Sequence, residues 1–152
     1  MEENEYKATY DEITQINCVF EKALTNNLCQ CACARHFWLA DREGYACNSA
    51  PASAECAALL QRLREKSRFS LKLPSVGQQL PHNMDIRVQA GGLAGLQKRY
   101  GETDASPYIT GNVRRLVETA ITDAGGIDQL PYGDIVQSIA EYRVRSRRRR
   151  RG

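Results

Sequence analysis

Apolar residues recur at three- and four-residue steps from Tyr10 through Ile13, Ile16, Val19 or Phe20, Ala23 and Leu24. That is the period of a helix with one buried face, and it predicts a first helix over residues 10–25, closed by the turn-forming pair Asn26-Asn27. Residues 27–34 read as a loop. His36 to Ala40 follows as a short apolar helix or strand, Asp41-Arg42-Glu43-Gly44 as a turn, and Cys47 falls in a Ser/Pro/Ala-rich connection. A strong helical pattern through Ala57, Leu59, Leu60, Leu63 and Arg64 predicts a helix from a Ser53 cap to about Arg68. Phe69 to Leu73 reads as extended, and Pro74, Gly77 and Pro81 mark 69–82 as irregular. Ile86-Arg87-Val88 alternates like a brief strand, and the glycine-rich stretch Gln89 to Leu96 reads as a turn entering a helix. A helix is predicted from Pro107 to residue 123, stopped by Gly125-Gly126, and a last one after Pro131 with Ile135, Ile139 and Tyr142 inward.

These elements add up to a mainly α, single small domain of about five helices with long irregular loops and a cysteine-rich N-terminal third. A chain of 152 residues with 42% hydrophobic content has enough apolar material for one core. The expected boundaries are a polar N-terminus at 1–9, a globular unit at 10–142 and a basic tail at 143–152. Charge separates that tail from the rest: residues 143–152 hold seven arginines, leaving 14 basic against 18 acidic residues elsewhere, so the net +3 conceals a body of −4. Basic groups gathered in a tail, rather than over a face of the fold, are not the pattern of a nucleic-acid-binding domain. An acidic protein surface or plain solvent is the preferred neighbour of the tail, with nucleic-acid phosphates ranked below. The acidic start Met1-Glu2-Glu3 has no basic and apolar leader pattern, and no apolar run reaches the ~18 residues of a membrane span, so a cytoplasmic protein without a membrane span is expected.

The cysteines change the picture most. All six, Cys18, Cys29, Cys31, Cys33, Cys47 and Cys56, fall within one quarter of the chain, three of them alternating with single residues. Buried cysteines used as small apolar residues occur singly, so a crowd of thiols points to chelation, cross-linking or redox exchange. In a reducing compartment metal ranks ahead of disulfide. The spacing Cys-x10-Cys-x-Cys-x-Cys-x13-Cys-x8-Cys matches neither ferredoxin runs nor paired zinc knuckles. All six are candidate ligands of an iron–sulfur cluster, with zinc as the alternative metal. Aromatic neighbours Phe20, Phe37 and Trp38 suit a dry cluster site, and a chain of this size has no need of zinc to make a core. Cys18 and Cys29 can meet only if the chain reverses at Asn26-Asn27, and Cys56, read as lying in the first turn of a helix, is expected to have its thiol pKa lowered by the dipole.

The expected function is therefore a cysteine-ligated iron–sulfur protein in electron transfer or an accessory subunit of a larger redox protein. Two alternatives stand: a zinc-stabilised binding module docking through its arginine tail, and a thiol–disulfide redox protein. His36 is a candidate nitrogen ligand or base beside Cys33, set against the plainer reading of a polar edge residue, and His82 is a weaker candidate. Gly91-Gly92-x-x-Gly95 lacks the spacing of a phosphate-cradling loop and reads as close packing. No hydrolase motif is present, so a carrier role is favoured over an enzyme.

Overall fold

The computed structural model describes residues 16–72, 80–102 and 109–143. Its elements are α1 (Glu21–Thr25), β1 (Ala34–Leu39), β2 (Arg42–Cys47), α2 (Ala50–Leu71), α3 (His82–Tyr100), α4 (Val113–Ala124), a single 3-10 turn (Ile127–Gln129) and α5 (Tyr132–Glu141). The expected mainly helical single domain is what forms, with five α-helices and one two-stranded hairpin among the described residues. None of these helices is long and apolar enough to cross a membrane.

Several boundaries move. The part of the predicted first helix at 10–15 lies outside the described residues, and the rest is helical only from Glu21. Residues 16–18 are spent on the hairpin instead: Asn17 bridges Ala46, the Cys47 N–H donates to the Ile16 carbonyl at 2.9 Å, and the Cys18 N–H donates to that of Tyr45 at 3.3 Å. Backbone groups used across strands are not available to a helix. Arg42, Glu43 and Gly44 belong to β2 rather than a turn, because the hairpin closes on two residues, with Ala40 in the left-handed region at φ 55°. Cys47 ends that strand.

The cap of α2 is Ser49, four residues before the expected Ser53. The Ser49 hydroxyl accepts the Ala52 N–H at 3.2 Å, and Pro51 sits in the first turn. The helix runs past Arg68 to Leu71, so the segment read as extended at Phe69 to Leu73 is helical at its start. The strand expected at Ile86 to Val88 and the turn expected at Gln89 to Leu96 are both inside α3. Tertiary packing overrides the local glycine signal here. An added Cβ at Gly91 would stand 2.9 Å from Ile139 Cα, one at Gly95 3.2 Å from Ile135 Cα, and one at Gly92 2.7 Å from Leu63 Cδ1. The three glycines let α5 and α2 approach the α3 backbone, which makes α3 the central rod of the core.

Around α3 stand α5, α4, α1 and α2. Leu59, Leu60 and Leu63 of α2, Val88, Leu93 and Leu96 of α3, Val113 and Val117 of α4, and Ile135 and Ile139 of α5 are all buried. The predicted last helix and its inward residues form as read, Tyr142 included. The helix expected at 107–123 starts at Val113, with 103–108 outside the described residues, and ends at Gly125 with φ 90°. α1 is too short to hold itself. It is tied to α3 through Lys22 Nζ on Asp85 Oδ2 at 2.8 Å and the Ala23 N–H on Gln89 Oε1 at 3.2 Å, while Arg64 of α2 also grips Asp85 through Nε and Nη2 at 3.0 Å. Those contacts fix the helix from which the cysteine loop departs. Of the basic tail only Arg143 is described, and it is exposed.

Candidate metal centre

Five of the six cysteines line one cavity. Cys18 comes from the segment before α1, Cys31 and Cys33 from the loop before β1, Cys47 from the end of β2 and Cys56 from the second turn of α2. Val19, Phe20, Leu24, Ala34, Ala52 and Val113 supply an apolar remainder beside Ser53, with Arg114 the one charged side chain of the wall among the described residues. Cys29 is not in that lining; it is buried in the core at 3% exposure, electrostatically coupled to Cys18 and Cys31. All six are free thiols. The sulfurs surround the space rather than converge, since among the described residues no three or more His, Cys, Asp or Glu form a group that could hold a metal ion. As the side chains stand, the cavity is about 20 Å³, room for one water-sized body.

The reversal that gathers these sulfurs occurs where the asparagine pair predicts it, with Asn27 left-handed at φ 58°. The returning loop is then pinned by residues far along the chain. The Thr110 N–H donates to the Leu28 carbonyl at 3.1 Å, the Gln30 N–H to that of Thr110 at 3.0 Å, and the Val113 N–H to that of Gln30 at 2.8 Å. The Ala32 N–H donates to Asn112 Oδ1 at 3.1 Å. A turn joins the Ala34 N–H to the Cys31 carbonyl at 3.1 Å, and the Asn48 N–H reaches the Cys33 carbonyl at 2.8 Å. An irregular loop whose backbone groups are this fully paired is a rigid platform for alternating side chains.

Burial governs the thiols. It pushes Cys18 up to about 12, against a backbone hydrogen bond at Phe20, with Cys31, Cys47 and Cys56 adding to the rise. It pushes Cys56 up to about 12 as well, reinforced by Cys31, Cys47 and Glu55 and opposed by Arg114. The lowering expected for Cys56 at a helix N-terminus does not occur, because the helix starts at Ala50 and Cys56 is buried in its second turn. Cys29 is likewise raised by burial, then by Cys18 and Cys31, and Cys33 by burial, then by Cys31 and Cys47. Cys31 and Cys47 thus act on Cys18, Cys33 and Cys56 alike, and Cys18 and Cys31 on Cys29, with Cys33 half-buried.

His36 does not line the cavity. Its ring stacks on Tyr45 at 4.7 Å between centroids, tilts against Trp38 at 5.7 Å and places Nε2 2.9 Å from Glu43 Oε2. Alternate residues share a strand face, so Cys47 and Ala34 at the cavity, then Tyr45 and His36, then exposed Trp38 follow one another along one face of the hairpin. His82 is exposed at the start of α3 and is not in the cavity lining. Sequence reasoning missed Asn112 and Arg114, which approach from residues some eighty positions downstream of the loop; only the Arg114–Glu118 spacing of one helical turn is visible in the chain itself.

No family model, characterised protein or solved structure matches this chain.

Proposed function

We propose that the cavity is the seat of a cysteine-ligated iron–sulfur cluster and that the protein carries electrons, alone or as an accessory subunit of a larger redox protein. The observation that supports this reading is that Cys18, Cys31, Cys33, Cys47 and Cys56, from four separate stretches of chain, line one largely apolar cavity. Thiolates gathered in a dry enclosure are the ligand type and setting such clusters use. Cys18, Cys31, Cys47 and Cys56 are our proposed ligand set, since Cys31, Cys47 and Cys56 act on Cys18, and Cys31 and Cys47 on Cys56; Cys33 is spare at the side of Arg114 and Cys29 lies buried outside the lining. When bound, the cluster supplies a one-electron centre. The chain's own residues hold it, exclude water through Phe20, Leu24 and Val113, and give up thiol protons as ligands form. The arginine tail offers an acidic partner a charged contact.

A zinc–thiolate module is the second reading, favoured by the small present volume of about 20 Å³. Zinc requires four sulfurs to close to about 2.3 Å around one point, whereas a cluster requires them to swing outward around a cage. Anaerobic purification followed by visible absorption and analysis of iron, acid-labile sulfide and zinc separates the two. Iron and sulfide in matched amounts, lost in Cys31→Ser and Cys56→Ser but kept in Cys33→Ser, is the expected result. A colourless protein with one zinc per chain establishes the module instead, and a metal-free protein whose thiol count changes with oxidant establishes thiol–disulfide cycling.

A further inference from the structure

We infer that Trp38, His36 and Tyr45 form an aromatic relay that passes single electrons between the surface and the Cys18 thiol in the metal-free protein; the inference stands apart from the cluster reading. Trp38 is the chain's one tryptophan and stands 63% exposed on the hairpin. Its ring centroid is 5.7 Å from that of His36, which in turn stacks on Tyr45 at 4.7 Å with 18° between the planes. Both gaps are those of aromatic rings in contact. Register produces the series: His36 faces Tyr45 across the hairpin, and Trp38 lies two residues further along β1 on the same face. Glu43 Oε2 holds the imidazole through Nε2 at 2.9 Å. The inner end is set by the segment before α1. Asn17 bridges Ala46, and the Cys18 N–H donates to the Tyr45 carbonyl at 3.3 Å, so Cys18 is the cross-strand partner of Tyr45 on the face that carries His36. Side chains paired in this way stand about 5 Å apart at Cβ. Tyr45 is half-buried, its phenol raised by burial, then by Glu43, Cys29 and Cys18, and Cys18 itself lines the cavity.

The chemistry is a chain of one-electron steps begun by a one-electron oxidant at the surface. The oxidant takes an electron from the Trp38 indole, whose ring N–H proton passes to water. An electron then crosses from Tyr45 to Trp38 by way of His36; the phenol gives its proton to water and the indolyl radical takes one up. The imidazole, harder to oxidise than either neighbour, is a bridge and not a stop. Last, Cys18 returns an electron to Tyr45, the S–H bond losing its proton to water while the phenoxyl oxygen takes one up. The net change is one electron to the oxidant and one proton to water, both from Cys18, which is left as a sulfur-centred radical. Both outer rings are recovered, and the thiol is what is consumed.

The test is pulse radiolysis of the full chain with azidyl radical as the oxidant, in the presence of chelator and with all six thiols reduced, following indolyl and phenoxyl absorption over time. Trp38 being the single tryptophan, the indolyl signal has one source. In wild type that signal should decay as the phenoxyl signal rises, at a rate independent of protein concentration. Tyr45→Phe keeps the ring and removes the phenol, and should slow the decay by about tenfold or more. Tyr132→Phe, altered on α5, should leave it unchanged. Cys18→Ser should lengthen the life of the phenoxyl radical. A Tyr45→Phe decay as fast as wild type, a rate proportional to protein concentration, or an unchanged phenoxyl lifetime in Cys18→Ser each overturns the relay. If Tyr45→Phe does not give a native circular dichroism spectrum, His36→Leu at its exposed position decides: slower transfer is expected, and an unchanged rate overturns the inference.

Discussion

Metal-free protein should lose stability steeply in alkali, and a defined share of the loss should trace to Cys18 and Cys56. Cys18 and Cys56 ionise near 9.0 in the unfolded chain and are held up to about 12 in the fold. Below the unfolded value both states carry the proton and stability is whole. Above it the unfolded chain releases protons that the folded chain still holds, so unfolding becomes easier until pH passes the folded value. Each thiol then removes roughly 1.4 kcal/mol per pH unit, so at pH 11 the pair costs about 5 kcal/mol, comparable with the whole stability of a small domain. Burial likewise lifts Tyr132 from 10.0 to about 12, so part of any alkaline loss is not sulfur in origin. A Cys18→Ala/Cys56→Ala variant keeps Tyr132, and also Cys29 and Cys33, whose thiols burial raises too, so the difference from wild type isolates the share of Cys18 and Cys56. The measurement is the urea midpoint by far-UV circular dichroism between pH 8 and pH 11 in the presence of chelator. Wild type should fall with the steeper slope, whatever the absolute stability of the variant. Equal slopes would refute the account of burial at these two positions.

Three other outcomes follow from contacts already described. Gly91→Ala should destabilise by about 1–3 kcal/mol in chemical denaturation, because its methyl meets the backbone of Ile139, whereas Gly92→Ala meets only the end of Leu63 and should come within about 1 kcal/mol of wild type, with the gain in helix propensity offsetting the repacking. Asp85→Ala should cost about 3 kcal/mol in thermal or urea melts by leaving Lys22 and Arg64 without their shared carboxylate, and Asp85→Asn should cost less; equal, negligible effects would mean the network contributes nothing. Asn112→Ala removes the acceptor for the Ala32 N–H and should lower stability by about 1 kcal/mol while accelerating loss of bound metal to a chelator; an unchanged release rate would show that this bond does not hold the loop.

The parts of this molecule that the chain declares are those with local causes. The buried faces of α2 and α5 follow from apolar spacing, the ends of α1 and α4 from Asn26-Asn27 and Gly125, and the shared destination of the cysteines from their crowding. What it hid depends on partners distant in sequence. Gly91, Gly92 and Gly95 look like a turn until Ile139, Ile135 and Leu63 are seen against them, and Ile16 to Cys18 look helical until β2 claims their backbone. Cys56 illustrates the same limit in chemistry: a first-turn position would have lowered its pKa, but the Ser49 cap shifts the helix start and burial decides the sign. Cys29 shares the cysteine-rich stretch yet faces the core, because its backbone pairs with Thr110.

That pairing has a consequence for biogenesis. The seat made by Cys31 and Cys33 is braced by Thr110, Asn112 and Val113, so closing it means joining stretches about eighty residues apart. On the ribosome the sulfurs emerge first and wait, unarranged, while the brace is still being synthesised. Ordering of the cysteine loop is thereby a late event in the life of the chain, and a truncation before α4 would leave every cysteine present and Cys31 and Cys33 without their brace.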